Sequence, residues 1–470
     1  MHRVKAEPKP EPSSRTTLLS RISLPLLRSL ASVILGSLIL RLASQTTGQM
    51  LQFYLERIDS HHYTLRLEVR GFITASFFVA ELLGSLAFGA LSDRYGRKLF
   101  ILLGPILGAI AVQLTSMTVV VWLLVLTRLL EGLSTASSVP ATLGYISEAT
   151  VGRPNLRARV VGMFELTLVG GIAMGASVAG YLWKYFHHPT TFLGLKLISP
   201  AFSLNSLIYL ASLAVFLWGL KDLKRRPSVA GQGEKANFEH YKRFLKHRSV
   251  WTFIPAWLSI FSIVGIWSNS SAALFTGSTH YGLQSLTGRI SEESFGNGFA
   301  ALAIFFAVGV LVWSLVLGRY RKTSVMLVAT FALFAVLFTV FALNHLSTFR
   351  GVVYILLLGS LLIEVLVLSG FTPAALTYLA DVTELFKQDR GSTMGLYSVF
   401  LGVGQLLGTT LGGYFAEWNG IDGLLLLSAL FGAVTAISLL FVRRSEVIVR
   451  RSEARPPSQE LSGEPLEANS

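Results

Sequence analysis

Twelve apolar runs, each long enough to cross a lipid bilayer, are separated by short charged turns over almost the whole length of this 470-residue chain. They lie near 28–55, 69–91, 99–117, 119–146, 159–184, 199–220, 251–275, 296–318, 324–345, 352–380, 392–417 and 422–442. The hydrocarbon core of a membrane takes about 20 apolar residues per helical span, and it admits only structures that satisfy their backbone internally. These runs therefore predict a polytopic α-helical membrane protein. Only 14% of the residues are charged and the mean hydropathy is +0.58, whereas a soluble chain carries about 25% charged residues.

The net charge of +14 is distributed by topology. With the N-terminus placed inside, 31 of the 40 Lys and Arg fall in inner segments, 7 in outer segments and two within spans. This bias puts both termini in the cytoplasm. It directs the basic excess at anionic lipid head groups and argues against nucleic acid as a partner. Residues 1–24 are polar and basic with no cleavable signal peptide after them, and together with 444–470 they read as disordered tails. Residues 221–250 read as a linker. Phe238, Tyr241 and Leu245 recur there at helical spacing among bases, which fits a surface amphipathic helix or a solvated basic connector.

An internal repeat divides the chain. Shifted by 233 positions, residues 129–181 align without a gap on 362–414, with fifteen identities. Among them are Glu131 on Glu364, Pro140 on Pro373, Arg157 on Arg390 and Gly171, Gly175 and Gly180 on Gly404, Gly408 and Gly413; Glu148 falls on Asp381. Spans 4–5 are thus copied as spans 10–11, which predicts a 25–220 bundle and a 251–443 bundle related as parallel repeats.

The turn Gly89-Ala-Leu91-Ser-Asp93-Arg94-Tyr-Gly96-Arg97-Lys98 joins spans 2 and 3. Its order G-x-L-x-D-R-x-G-R-K resembles the signature loop of the major facilitator superfamily of secondary transporters. The resemblance implies two pseudo-symmetric six-helix bundles, a small-molecule substrate bound between them, alternating access, a monomer in the plasma (inner) membrane, and no cofactor. It also implies that Asp93 meets the start of helix 11 as an inner latch, with Arg94 and Arg97 pairing with acids such as Glu148, or with lipid phosphate. The second copy, Gly318-Arg319-Tyr320-Arg321-Lys322, lacks the acid, so any such latch operates from the N-terminal half. Arg128-Leu-Leu-Glu131-Gly132 resembles the superfamily's R-x-x-x-G motif, tied there to proton coupling. Gly171-x-x-x-Gly175-Ala-x-x-Ala-Gly180 resembles its antiporter motif, with Ala176 where that motif has proline.

Small residues four apart let helices approach closely in lipid, and this predicts packing roles for Gly171, Gly175, Gly180, Gly404, Gly408, Gly412 and Gly413. Ionisable groups inside spans mark function by default. They are Arg41, Glu81, Arg128, Glu131, Glu165 and Glu364. Arg128 and Glu131 share a helix face. Glu131 and Glu364 lie at matched depth, about 18 Å down by helical rise; with helices 4 and 10 lining a central cavity, as the resemblance implies, repeat symmetry sets them opposite one another across it. Position 361, the mate of Arg128, is Leu, which leaves Glu364 without that partner and makes it the expected proton carrier. Hydrogen bonding between helices is the competing role for both glutamates. Glu165, six residues inside the cytoplasmic end of its run, is expected to snorkel or pair locally and to stand outside the mechanism. Tyr54, Gln45, Gln113, Asn205, Trp267 and Gln405 are open to substrate contact or packing.

No phosphate-binding G-x-x-x-x-G-K-[ST] loop occurs, and no metal-ligand spacing or enzymatic constellation; the chain has no Cys. Three readings stand at this stage: proton-coupled export, proton-coupled uptake of a nutrient such as a sugar or organic acid, and a non-transporting membrane scaffold or sensor.

Overall fold

The computed structural model describes residues 24–61, 65–192, 194–221, 248–277, 281–346, 351–384 and 390–453. The linker helix expected around 238–245 lies outside them, as do residues 1–23 and 454–470. The N-terminal half contains α1 (Leu24–His61), α2 (Leu67–Tyr95), α3 (Arg97–Thr115), α4 (Val121–Ala149), α5 (Pro154–Phe186) and α6 (Pro200–Gly219). A small antiparallel hairpin, β1 (Thr190–Phe192) and β2 (Leu195–Leu197), links α5 to α6. The C-terminal half contains α7 (Arg248–Thr276), α8 (Glu292–Val316), α9 (Lys322–Asn344), α10 (Val352–Leu368), α11 (Phe371–Glu384) and α12 (Arg390–Glu453).

Among the described residues nine helices are long and apolar enough to cross a membrane, or ten with α2, which bends by 43°. The long stretch Val399–Arg444 holds two spans, because α12 reverses at Asn419 and Gly420, the latter at φ 54°. The remaining span is α4, whose Arg128, Glu131 and serines make it too polar to stand out by hydropathy. The architecture is therefore all-α, twelve spans in two six-helix bundles, with α10 and α11 together forming span 10.

Local chemistry sets the helix ends. Gly96 ends α2 at φ 107°, a backbone that L side chains rarely adopt, and donates its N–H to the Ser92 carbonyl at 3.0 Å. This gives the second glycine of the loop motif its physical reason. Prolines open α5 and α6, where their missing N–H costs nothing. The break between α10 and α11 falls at Ser369 and Gly370, where the ring of Pro373 obstructs the carbonyl four residues back.

Each half has its own core. Tyr54, Tyr145, Phe164, Phe202 and Phe216 fill the N-terminal bundle. Phe253, Trp257, Met326 and Phe371 fill one end of the C-terminal bundle, with Ile263, Leu333 and Leu424 in the other. The polar candidates mostly serve packing. Tyr54 donates to the Thr118 carbonyl, Asn205 to the Ala43 carbonyl and Trp267 to Ser428. Gln113 reaches Ser116 and Ser206, and the Gln405 backbone lies against Gly265. The Gln45 Cβ lies against Gly175.

Candidate functional site: a cleft between the two halves

The two ends of the molecule differ. Where α1 ends and α2 begins, the end that carries Glu417, the halves are joined. Gln49 on α1 donates to the Ser268 carbonyl on α7 at 3.0 Å, and the Phe53 and Phe295 rings meet edge to face at 6.4 Å. Leu67 N–H at the start of α2 donates to Glu417 at 2.6 Å. On α5, Lys184 pairs with Glu293, and Gly180 lies against the Glu292 backbone on α8. Gly296 on α8 returns the contact by lying against the Ala176 carbonyl. Further along, a methyl on Gly402 would lie 3.7 Å from the Leu82 side chain. These contacts reach as far toward Asp93 as Leu82 and Gly402. That level is the apex of a candidate cleft on the Asp93 side, with α1, α2 and α5 as its N-terminal wall.

Three charged side chains stand where the cleft begins. Arg41 on α1 lies eight residues from Gln49, Glu81 on α2 ten from Gly71, and Glu165 on α5 eleven from Ala176. At the helical rise these separations are about 12 to 17 Å, so all three sit at one level. The Glu165 and Glu81 charges both act on Arg41, whose guanidinium covers the Phe164 ring at 4.8 Å. Two carboxylates on two helices thus lie within electrostatic reach of one base. Glu165 belongs to this cluster rather than to a local pair. The sequence reading set it too shallow, because α5 starts at Pro154, five residues before the apolar run begins.

Arg128 and Glu131 form a buried ion pair on α4, with side chains 5% and 2% exposed. Glu131 also accepts a hydrogen bond from Tyr209 on α6 at 3.0 Å, and Arg128 lies over the Phe77 ring. Glu364 on α10 accepts from Thr339 on α9 at 2.9 Å, while its other oxygen is buried without a partner. The expectation that Glu131 and Glu364 face each other is therefore corrected: each turns into its own half. Depth along a helix follows from sequence, but rotation about its axis does not. In α4 Gly132 sets the rotation, because it packs directly on the Phe77 carbonyl of α2. Glu131, about 100° away around the helix, then points toward α6.

At the Asp93 end, Asp93 pairs with Arg97. Arg97 also reaches Glu148 at 3.0 Å and Ser92 at 2.8 Å. Gly144 leaves the room for this, since a Cβ there would collide with the guanidinium. Nothing in the sequence distinguished Gly144 from other helix glycines. Arg157 donates to the Ser147 carbonyl at 2.9 Å and to Thr150. Arg97 holds the Asp93 carboxylate within its own loop, and the helix-11 start expected to meet it has its side chains outside the described residues. The Asp381 and Arg390 side chains lie outside the described residues. Arg94 packs over Tyr95. Lys98 follows Arg97 in the first turn of α3, and Gly89 precedes it on α2 with space around it.

The predicted packing glycines divide by direction. Gly171 and Gly175 receive α1 at Arg41, Leu42 and Gln45; Gly404 and Gly408 receive α7 at Phe261 and Ser262, as the repeat would have it. Gly412 faces Ile266 and Ser270 of α7, whereas Gly180 and Gly413 cross to the other half, Gly413 onto Leu67 and Gly71.

Comparison with known proteins agrees with this fold. The sequence model described as Major Facilitator Superfamily matches residues 22–288 and 269–466. The chain belongs to the major facilitator superfamily. Multidrug resistance protein 1 of Bacillus subtilis (strain 168) is 25% identical over 352 residues, covering 73% of this chain and 79% of that protein. A bacterial homologue of the human lysosomal transporter Spinster superposes with a TM-score of 0.64 at 15% identity, over 91% of this chain and 96% of that one. The xylose transporter XylE from E. coli superposes with a TM-score of 0.61 at 13% identity, over 88% and 96%. This major facilitator chain is accordingly an integral membrane transporter of a small molecule.

Proposed function

We propose that this transporter exports a small, largely apolar or cationic organic molecule in exchange for protons, by alternating access. The observation that carries the reading is the Arg41, Glu81 and Glu165 cluster at the apex of the cleft. Two carboxylates against one base give the apex an uncompensated acid. Burial favours the neutral form of such a group, whereas an incoming cation favours the charged form. Proton and cation thus compete for one site, and that competition is the physical requirement of antiport. The Lys and Arg asymmetry makes the Asp93 side cytoplasmic, in the plasma (inner) membrane, so the cleft takes up substrate from the cell. Export is supported by the similarity to a protein named for multidrug resistance and by the small-residue pattern of α5.

Inverted vesicles loaded with the purified protein, given a lipophilic cationic dye and an inside-acid gradient, test this. Dye should accumulate, and Glu81→Gln should abolish gradient-driven accumulation and weaken dye binding, because it removes the acid for which proton and cation compete. Accumulation only in right-side-out vesicles would establish uptake. Insensitivity to the gradient would remove proton coupling.

Glu364 is the second reading for the coupling group, favoured by its unpartnered buried oxygen. If Glu364→Gln abolishes gradient-driven accumulation and Glu81→Gln does not, coupling resides in the C-terminal half.

A further inference from the structure

The α2 helix and the 390–418 arm of α12 run antiparallel, and their ends have matching chemistry. The N-terminus of α2, at Leu67, lies on the Glu417 side, and its last turn carries Asp93 on the other. The 390–418 arm starts on the Asp93 side, and its last turn carries Glu417. Each helix therefore has the positive end of its dipole on the same side of the molecule as the other's terminal carboxylate.

One of these two junctions is made. Glu417 accepts the Leu67 N–H at 2.6 Å, and Arg66 bridges it, at 3.7 Å from Glu417 and 3.0 Å from Glu68. Arg66 itself offers α2 no side-chain cap, so the carboxylate comes from the other half of the molecule. One turn further in, the two backbones touch through glycine. A methyl on Gly71 would lie 3.1 Å from the Gly413 Cα and 3.2 Å from the Thr409 carbonyl. At the opposite end Asp93 is occupied by Arg97 within its own loop.

We propose that Glu417 is a gating residue: it caps α2 across the halves to hold the Glu417 side closed, and it alternates with Asp93, so that one inter-half cap is made in each state. The proposal rests on the transport reading only in treating the two states as parts of one cycle. The two carboxylates are separated by 26 residues of α2, from Leu67 to Asp93, which is about 39 Å of helix. Over such a lever, a small tilt about the cleft apex breaks one junction as it brings the other together. The glycine crossing makes the first junction tight enough for hydrogen bonding, and the Glu56–Arg70 ion pair buried behind it keeps the α2 end rigid.

The chain has no Cys, so paired spin labels report both ends directly. Labels at Thr191→Cys and Leu283→Cys span the Glu417 side, and labels at Leu99→Cys and Tyr320→Cys span the Asp93 side; all four positions are exposed. In full-length protein reconstituted in lipid nanodiscs, Glu417→Ala should lengthen the first distance and shorten the second. The populations should shift by about fivefold, the effect of removing one helix cap. Gly71→Ala keeps the carboxylate and opens the crossing by sterics, so it should move both distances in the same directions. It also serves if Glu417→Ala does not fold. Unchanged distributions in both variants would overturn the gate. The readout needs neither substrate nor gradient: shifted distances without any transport in wild type would sink only the transport reading, and transport with unmoved distances only the cap.

Discussion

The α4 helix and its copy, α10 with α11, descend from one pattern and have been resolved in opposite ways. In α4 the helix runs unbroken through Pro140, and its buried Glu131 is neutralised by Arg128. In the copy the helix breaks at Ser369 and Gly370, position 361 is Leu, and Glu364 has one hydrogen bond and one bare oxygen. Gly144 yields to Arg97 in the first half, while its mate Thr377 donates to the Pro373 carbonyl of its own helix. The repeat has kept the scaffold and dropped the charges, so the halves share a shape and divide the chemistry.

Making α4 resemble its copy tests this most severely. Arg128→Leu should leave Glu131 buried without its counter-charge and cost about 3–5 kcal/mol. Thermal unfolding in detergent would report it, and Arg128→Leu with Glu131→Gln should recover most of the loss. If the double variant is no more stable than the single one, the pair is not what α4 depends on. A smaller effect is expected at the break. Gly370→Ala meets the Trp313 ring, whose Nε1 donates to the Leu366 carbonyl at 3.1 Å, and should cost about 1–3 kcal/mol with altered tryptophan emission. Ser137→Ala at the equivalent place in α4 should change stability by less than about 1.5 kcal/mol; equal effects would mean that the break has no special packing. The smallest effect belongs to Gly144→Thr, which gives α4 the side chain of its copy. Displacing Arg97 from the half-exposed Asp93 and Glu148 should cost less than about 1 kcal/mol, yet it should alter the protection of the 92–98 loop in hydrogen exchange. An unchanged exchange rate would make that ionic cluster incidental.

Helix number, the turn at Gly96 and the repeat were legible in the sequence because they depend on composition and motif order along the chain, whereas the start of α5 at Pro154 lay outside the apolar run. What was not legible depends on rotation and on contacts between distant segments. Glu131 and Glu364 were expected to face one another, and each bonds within its own half instead. Gly413 read as another small residue of its own bundle, although it crosses to α2. Glu417 looked like any acid at a span's edge, since only the fold brings Leu67 to it. The loop motif led to Glu148 as a partner of Arg97 but not to the Arg97–Asp93 pair, and Gly144, which admits the arginine, carried no signal.

One feature of the N-terminal core reaches further than packing. The Tyr209 ring lies directly against Gly108 on α3, where any Cβ would collide with it, and its hydroxyl extends from there to Glu131. The reach of that hydroxyl is thus set by a position that touches neither the acid nor the base. Substituting Gly108 would push the ring and change the solvation of Glu131 without altering a single charge. The electrostatics of the bundle can therefore be retuned by sterics alone, from a helix that carries no ionisable group between Lys98 and its end.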